Sequence, residues 1–488
     1  MVQIPIVNGI YADVSPDFRV AYPVNFLAVP RATGISDGYL RPSDGIVELG
    51  VSSGGDTLSL DFITPAYSAY SPPPGIGRGG IVWNGEAYRV MGTKLVSVAA
   101  DGTVTVLGDV GSGGQCRFDY SFDRLAITSG GRLYYWNGSA LVEVTDPDLG
   151  TALTVVWIDG YFMTTDGEFL VVTELTDPTQ VNPLKYGSSE IDPDPVVSLL
   201  KLRNEIYAIN RNTIEVFDNV GGELFPFQRN EGAQIPKGCV GTNACCVFVE
   251  TIAFLGSGRN EAPGIYVGAN ANAQKISTQE IDELLLGYSE AELAEVIMEA
   301  RNDRSHQLLY VHLQDRCLVY DAGATGALGQ PVWTVLTSTL NGFAQYRARD
   351  MLYVYDGWQV IDPASPAIGV LSRDVSSHWG DKVRWEFGTQ VVYNNGAGGI
   401  MSSLELVALT GSVAMGTTPT ISTSYTVDGV NWSQDRALHV GGLGQRAKRL
   451  VWFRQGSMRH WRIQRFRGTS DAHMAVARLE AAIEPLAW

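Results

Sequence analysis

The sequence predicts an all-β molecule: a β-propeller of six or seven blades with a short helical insertion, followed by a C-terminal β-sandwich. Three observations carry that reading. The first is composition: 54 Gly, 22 Pro, 21 Tyr and 11 Trp among 488 residues suit many short strands joined by tight turns. The second is internal repetition. "GGIVWNGEAYRVMGTKLVSVAADGTVTVLG" (79–108) and "SGGRLYYWNGSALVEVTDPD" (129–148) each set Trp-Asn-Gly between apolar, partly alternating runs. Asn-Gly supplies the two φ > 0 residues that a two-residue hairpin needs. The third is a change of texture near residue 380, after which short strands and turns follow one another in the manner of a sandwich.

In chain order, residues 1–44 read as an extended arm rich in turns, and 45–378 as the propeller. Within the propeller, the Gly/Ser/Pro-rich stretch 51–78 reads as a surface loop insertion. Further units begin at 152, 196, 239, 295 and 342, at irregular spacings in the range of propeller blades. Asp-Gly recurs at Asp101, Asp159, Asp166, Asp356 and Asp428 as a turn signal. The stretch 277–295 breaks the pattern. Ser277-x-x-Glu280 and Ser289-x-x-Glu292 are two capping boxes, and Ile281, Leu284 and Leu285 share one helical face. A helix or two between blades is predicted there. Residues 379–488 form the predicted sandwich.

Motifs that could carry chemistry are weak. "GIGRGG" (75–80) matches G-x-G-x-x-G but lacks the preceding strand and following helix of a nucleotide site. "EIDPDP" (190–195) gathers Glu190, Asp192 and Asp194 without EF-hand spacing and reads as an inter-blade link. His306 and His312 flank "QLLYVHL" and need not share a face. "YTVDGVNWS" (425–433) has the look of a structural Asp-box turn. The five cysteines are odd in number and scattered, which suits buried thiols in a reducing compartment; vicinal Cys245–Cys246 reads as core. No catalytic, cofactor-binding or metal site is expected. No run is apolar for 18 residues, so no membrane span is expected, and the N-terminus does not read as a secretory signal.

Charge is the informative feature. The chain carries −17, yet Arg436 to Arg467 holds nine Lys/Arg and no Asp/Glu, leaving −26 on the rest. An acidic surface argues against a duplex-gripping protein, because phosphate contacts need Lys and Arg. The stretch "KRLVWFRQGSMRHWRIQRFRG" (448–468) interleaves those cations with aromatics. Alternation puts Trp461 and Ile463 on one strand face and His460, Arg462 and Gln464 on the other. Three readings stay open: a docking surface for an acidic protein surface, a merely solvated strand, and stacking on nucleic-acid bases. The first nominates Arg449, Arg454, Arg459, Arg462, Arg465 and Arg467 as interface residues.

"PVNFLAVP" (23–30) and "SDGYLRPSDGI" (36–46) resemble the start of the tail hub, or nozzle, proteins of short-tailed phages, also called packaged-DNA stabilisation proteins. "RNTIEVF" (211–217), "KGCVGT" (237–242), "SHQLLYVHL" (305–313) and "LVYDA" (318–322) follow in the same order; "VDGVNW" and "RQGSMRHWRIQRFR" match more loosely. The resemblance implies a non-enzymatic structural protein of a podovirus virion tail, assembled in the host cytoplasm. It implies a homohexameric ring below the portal and its head-to-tail adaptor, around the channel for DNA ejection. It further implies tail fibres or tailspikes attached around the ring, a needle or plug closing it, and DNA passing without specific binding. No cofactor is implied. The competing functions are a propeller glycosidase and a receptor-binding protein acting on host surface sugars.

Overall fold

The structure, a computed structural model, describes residues 2–10, 23–30, 38–49, 72–393, 398–413, 415–469 and 473–486. Seven small antiparallel sheets succeed one another along the chain: blade 1 (77–109), blade 2 (117–143), blade 3 (155–188), blade 4 (196–229), blade 5 (238–275), blade 6 (297–336) and blade 7 (349–372). The first strand of each blade is innermost, and these strands touch around a closed ring in which Arg349–Val354 meets Gly77–Trp83. Blade 5 differs in splitting its inner strand into Gly238–Cys239 and Cys245–Phe248, both paired with Thr251–Ser257.

Local sequence explains the blades. Trp83 pairs with Glu86 across Asn84-Gly85, whose φ values of 51° and 81° make the mirror-image turn that matches strand twist. Asp159-Gly160 repeats this between Ile158 and Tyr161. Middle strands such as Leu125–Ser129 are buried on both faces because neighbouring blades stack on them. This is why they read as apolar runs and not as alternation.

Closure joins distant parts of the chain. Gly45–Glu48 is the outermost strand of blade 7, with Val47 opposite Val370 and Ile46 opposite Leu371. Beside it, Asp44 is buried among Arg41, Arg301 and Arg373, with Arg301 Nη2 at 2.6 Å. Burial pushes the Asp44 carboxyl up, but Arg301 and Arg41 outweigh it and hold the group below its ordinary value.

The described parts of the segment expected to be an extended arm, 2–10, 23–30 and 38–44, contain strands. Val2–Ile4 and Gly38–Pro42 pair with His473–Pro485, and Phe26–Pro30 pairs with Gly38–Pro42. These strands complete one sheet of the sandwich, in the order 26–30, 38–42, 473–485, 399–412, 450–453. The second sheet runs 384–388, 461–469, 420–426, 436–439. Phe26, Trp385, Phe387, Trp452 and Phe466 fill the core between them. The predicted loop at 51–78 falls largely outside the described residues, and Gly77 and Arg78 already belong to the first strand of blade 1.

The helical insertion is two short helices, Gln279–Leu285 and Glu290–Ala294, between blades 5 and 6. The Ser289–Glu292 capping box forms in full. The Ser277 box does not: Thr278 is the N-cap, while the Ser277 hydroxyl takes the Ile265 N–H and donates to Asp282. A third helix, Ala322–Leu328, had no signal in the sequence reading. Asp321 caps it, and its Ala324 and Leu328 pack into the sandwich core.

Candidate functional site

Two places could serve function: the sandwich edges and the propeller axis. One pair of sandwich edges is stitched to blade 6. Val24 bridges both Val335 of the blade and Glu386 of the sandwich. Asn25, at φ 54°, is buried with its side chain fully used: Nδ2 donates to Thr337 O at 2.9 Å and Arg384 O at 2.7 Å, and Oδ1 accepts the Thr337 N–H at 3.0 Å. The Thr334 hydroxyl donates to Pro23 O and Phe26 O from the other side. The Phe26 ring then sits edge-on to Trp385 and Phe387, at 5.4 and 5.3 Å between centroids.

The opposite edges, Arg436–His439 and Leu450–Phe453, lie side by side and pair with no further strand among the described residues. The six nominated arginines are not equivalent around them. Arg462 is not a surface residue at all. It is fully buried, 3.7 Å over the Tyr425 ring, and donates to Gln464 Oε1 at 2.8 Å and Gln455 O at 2.5 Å. Burial pushes its pKa down to about 10, against a pull from Tyr425. The expected alternation holds, but the face that carries Arg462 and Gln464 is buried with core residue Phe466, and Ile463 on the other face is buried too. His460 lies just outside the strand Trp461–Thr469. Arg465 is half-buried, 3.9 Å over the Trp432 ring, and Arg467 pairs with Asp435. Arg449 grips Glu405 with two bonds of 2.7 and 2.5 Å and drops that carboxyl below its ordinary value. Arg454 and Arg459 are exposed. Sequence reasoning passed over the exposed cations Arg446 and Lys448 beside them; their position in a Gly-rich turn was the available signal.

Side chains of the inner strands narrow the propeller axis. A cavity of about 290 Å³ remains, lined by Gln115, Arg117, Asn243, Glu299 and Asp350 among others. Glu299 Oε1 lies 2.6 Å from His312 Nε2, and its Oε2 accepts the Met351 N–H at 2.8 Å. Burial works against a charged His312, but Cys317 and Glu299 beside it outweigh that and push it up to about 10. Asp350, at φ 53°, accepts from Gln115 at 2.5 Å, and burial raises its carboxyl despite Arg349. Fully buried Arg89 donates to Asp350 O at 3.0 Å. These groups tie blades 1, 6 and 7 together at the centre. A duplex, whose major groove alone is about 12 Å wide, does not pass through this bore.

The other motifs are structural. Arg78 of "GIGRGG" donates to the carbonyls of Gly92, Gly111 and Gly114. Asp194 accepts the Asn212 N–H, and Asp192 faces Arg259 at 3.3 Å. His306 and His312 sit at opposite ends of one strand, the former 2.6 Å from Asp321. Asp428 accepts N–H bonds from Val430 and Asn431, closing a hairpin turn. No group of three His, Cys, Asp or Glu among the described residues could hold a metal ion, and all five thiols are free.

Both parts of the chain match one phage family, in order. The profile described as "Bacteriophage P22 Gp10, beta-propeller" matches residues 2–376, and "Bacteriophage P22 Gp10, beta-sandwich" matches 384–484. The chain belongs to this Gp10 family. A curated relative, the tail hub protein gp10 of Salmonella phage P22, is 27% identical over 472 residues, 94% of each chain. Solved structures similar in part include the N-terminal domain of Nup159 (8% identity, 62% of this chain and 90% of that one, TM-score 0.40). The Neurospora crassa Pan2 WD40 domain is another (12% identity, 68% and 94%, TM-score 0.40). In this Gp10-family chain three of the stretches that carried the phage resemblance lie at joints, while "RNTIEVF", "KGCVGT" and "SHQLLYVHL" fall in strands of blades 4, 5 and 6. "PVNFLAVP" is the strap between blade 6 and the sandwich, "SDGYLRPSDGI" supplies Arg41 and Asp44 of the buried ion cluster, and "LVYDA" contains Asp321, the cap of helix Ala322–Leu328.

Proposed function

We propose that this chain is the tail hub of a short-tailed phage. Six copies form a ring below the portal and its adaptor, in the virion tail. The ring surrounds the DNA exit channel, helps retain the packaged genome, and carries fibres or tailspikes around a central plug. The protein is structural and not an enzyme, and it assembles in the host cytoplasm.

The observation that carries this reading is a propeller whose axis keeps only a cavity of about 290 Å³, in a chain whose relative is a tail hub protein. A propeller with an open bore could itself be a conduit. One narrowed to a small cavity and bridged by Glu299, Asp350 and Arg89 is a wall segment, so the DNA path lies between copies. At −17 per chain such a wall repels phosphate, and a duplex slides along it without being gripped. Retention then rests on the plug. Both axial carboxylates bridge strands, Glu299 through His312 and Met351 and Asp350 through Gln115, which supports a structural role for them.

Electron microscopy and native mass measurement on the purified chain, alone and with the adaptor of its phage, test this. The expected result is a ring with a bore wide enough for duplex DNA. A chain that stays monomeric with its adaptor present overturns the reading, as does turnover of capsule or lipopolysaccharide by the purified chain.

A further inference from the structure

The molecule carries two patches of opposite charge, one on the propeller and one on the sandwich. The residues from Glu143, the last of blade 2, through blade 3 to Asp194 in the link beyond it hold eleven Asp/Glu and one Lys. None of the eleven is buried. Glu143, Glu174 and Asp192 pair with Arg132, Lys185 and Arg259; the other eight have no Lys or Arg within 4.0 Å among the described residues.

Many of these acids gather at one end of the blade. An antiparallel blade sends its second hairpin and its links to neighbouring blades out at the same end. Val196 N–H donates to Gly167 O, and Leu153 N–H to Thr165 O, which fixes the hairpin against both links. Asp166, Glu168, Glu190, Asp192 and Asp194 therefore share that end, with Ile191 36% exposed among them.

The other patch is the free sandwich edge. Arg436, Arg446, Lys448, Arg454 and Arg459 are exposed there, and no carboxylate lies within 4.0 Å of any of them among the described residues. Leu443 and Phe453, 56% and 65% exposed, lie among them. Charges on an open edge keep sheets from pairing at random, but here the charges are all of one sign. This edge stands four strand spacings, about 19 Å, from the edge stitched to blade 6. Blade 3 is three positions from blade 6 by the shorter way round, the furthest a seven-membered ring allows.

We propose that copies of this chain associate head to tail, the basic free edge of one sandwich docking on the acidic end of blade 3 of the next copy. A surface that meets a different surface on its neighbour builds a ring when the rotation closes, whereas a self-complementary patch builds a dimer. Opposite charge sets the orientation and suppresses the wrong pairings, and the exposed Leu443, Phe453 and Ile191 supply apolar contact. The inference rests on the hub reading and names the interface within it.

Sedimentation velocity tests it with four proteins: wild type, R446E/K448E, E168K/E190K, and the quadruple variant. These four side chains are exposed and make no internal hydrogen bond among the described residues, so a thermal melt within about 2 °C of wild type is the check on folding. Each double reversal is expected to weaken association at least tenfold at 100 mM salt. The quadruple variant, or an equimolar mixture of the two double variants, is expected to restore it. Raising salt should weaken wild type as well, as Coulomb attraction across a wet interface is screened. Rings that form normally from both double variants overturn the inference and leave the hub reading standing. A wild-type chain that never associates, even with its adaptor, overturns both. Duplex DNA binding that R446E/K448E abolishes while association persists assigns the basic edge to nucleic acid and overturns it too.

Discussion

The two flanks of the sandwich are built from the same kind of edge strand and come to opposite ends. At the stitched flank, Pro23 O and the Asn25 N–H bond to Val335 of blade 6, Val24 exchanges backbone bonds with Glu386 of the sandwich, and the Asn25 side chain is buried with its bonds made. At the free flank the strands Arg436–His439 and Leu450–Phe453 end in water under a cover of cations. The difference separates two uses of polar chemistry. Buried hydrogen bonds fix geometry, since leaving one unmade costs about 1–3 kcal/mol. Exposed charges fix little in the fold and remain available to a partner.

The largest expected effect comes from emptying the stitched flank of its anchor. Phe26→Ala removes a fully buried ring held by Trp385 and Phe387. A loss of about 3–5 kcal/mol is expected, read from the midpoint of urea unfolding. A loss below about 1 kcal/mol would show that the joint is not packed as described. Asn25→Ala comes next. It strands two carbonyls and an N–H and puts Ala at φ 54°. About 3 kcal/mol is expected to go. Asn25→Gly, which relieves the backbone but not the bonds, should recover only a fraction of that.

Acid should act on the same flank. His378 is 1% exposed, with Nδ1 2.8 Å from the Ser338 hydroxyl. Burial, reinforced by Arg347, holds it neutral and lowers its pKa to about 3. The unfolded chain takes up that proton near pH 6.5. The sign follows: the folded state keeps this contribution above about pH 6.5 and loses it as pH falls toward about 3. His378→Gln should flatten the fall in stability between pH 6.5 and 4, measured by urea midpoints at each pH. An unchanged slope would mean that His378 is protonated or solvated in the folded chain.

How much of this was legible in the sequence follows from the range of the interactions. Hairpins were readable because two adjacent residues decide them, as at Asn84-Gly85 and Asp159-Gly160. Even there the register slipped: beside Asp356-Gly357 the positive φ values fall on Tyr355 and Asp356, one residue earlier. The closing strand Gly45–Glu48 was unreadable as such, since its partner is Gly369–Ser372, more than 300 residues on. The arm's described strands became sheet for the same reason. Arg462 was misplaced because alternation assigns faces but not which face is core. A guanidinium stacked on Tyr425 and bonded to Gln464 can occupy an interior site that the pattern assigns to solvent.

The smallest expected effect is the sharpest test of the contrast. Arg454 and Arg459 are exposed, and their side chains bond to nothing among the described residues. Arg454 sits at φ 57°, so Arg454→Gly is the variant that leaves its backbone unstrained. Together with Arg459→Ala it should move folding stability by no more than about 0.5 kcal/mol, since no buried group loses a partner. The same pair removes two of the five unpaired cations at the free edge, so association between copies should weaken and lose part of its salt dependence. If the pair instead costs several kcal/mol of stability with association intact, the free edge is part of the fold's own support. The two flanks would then differ in exposure but not in role.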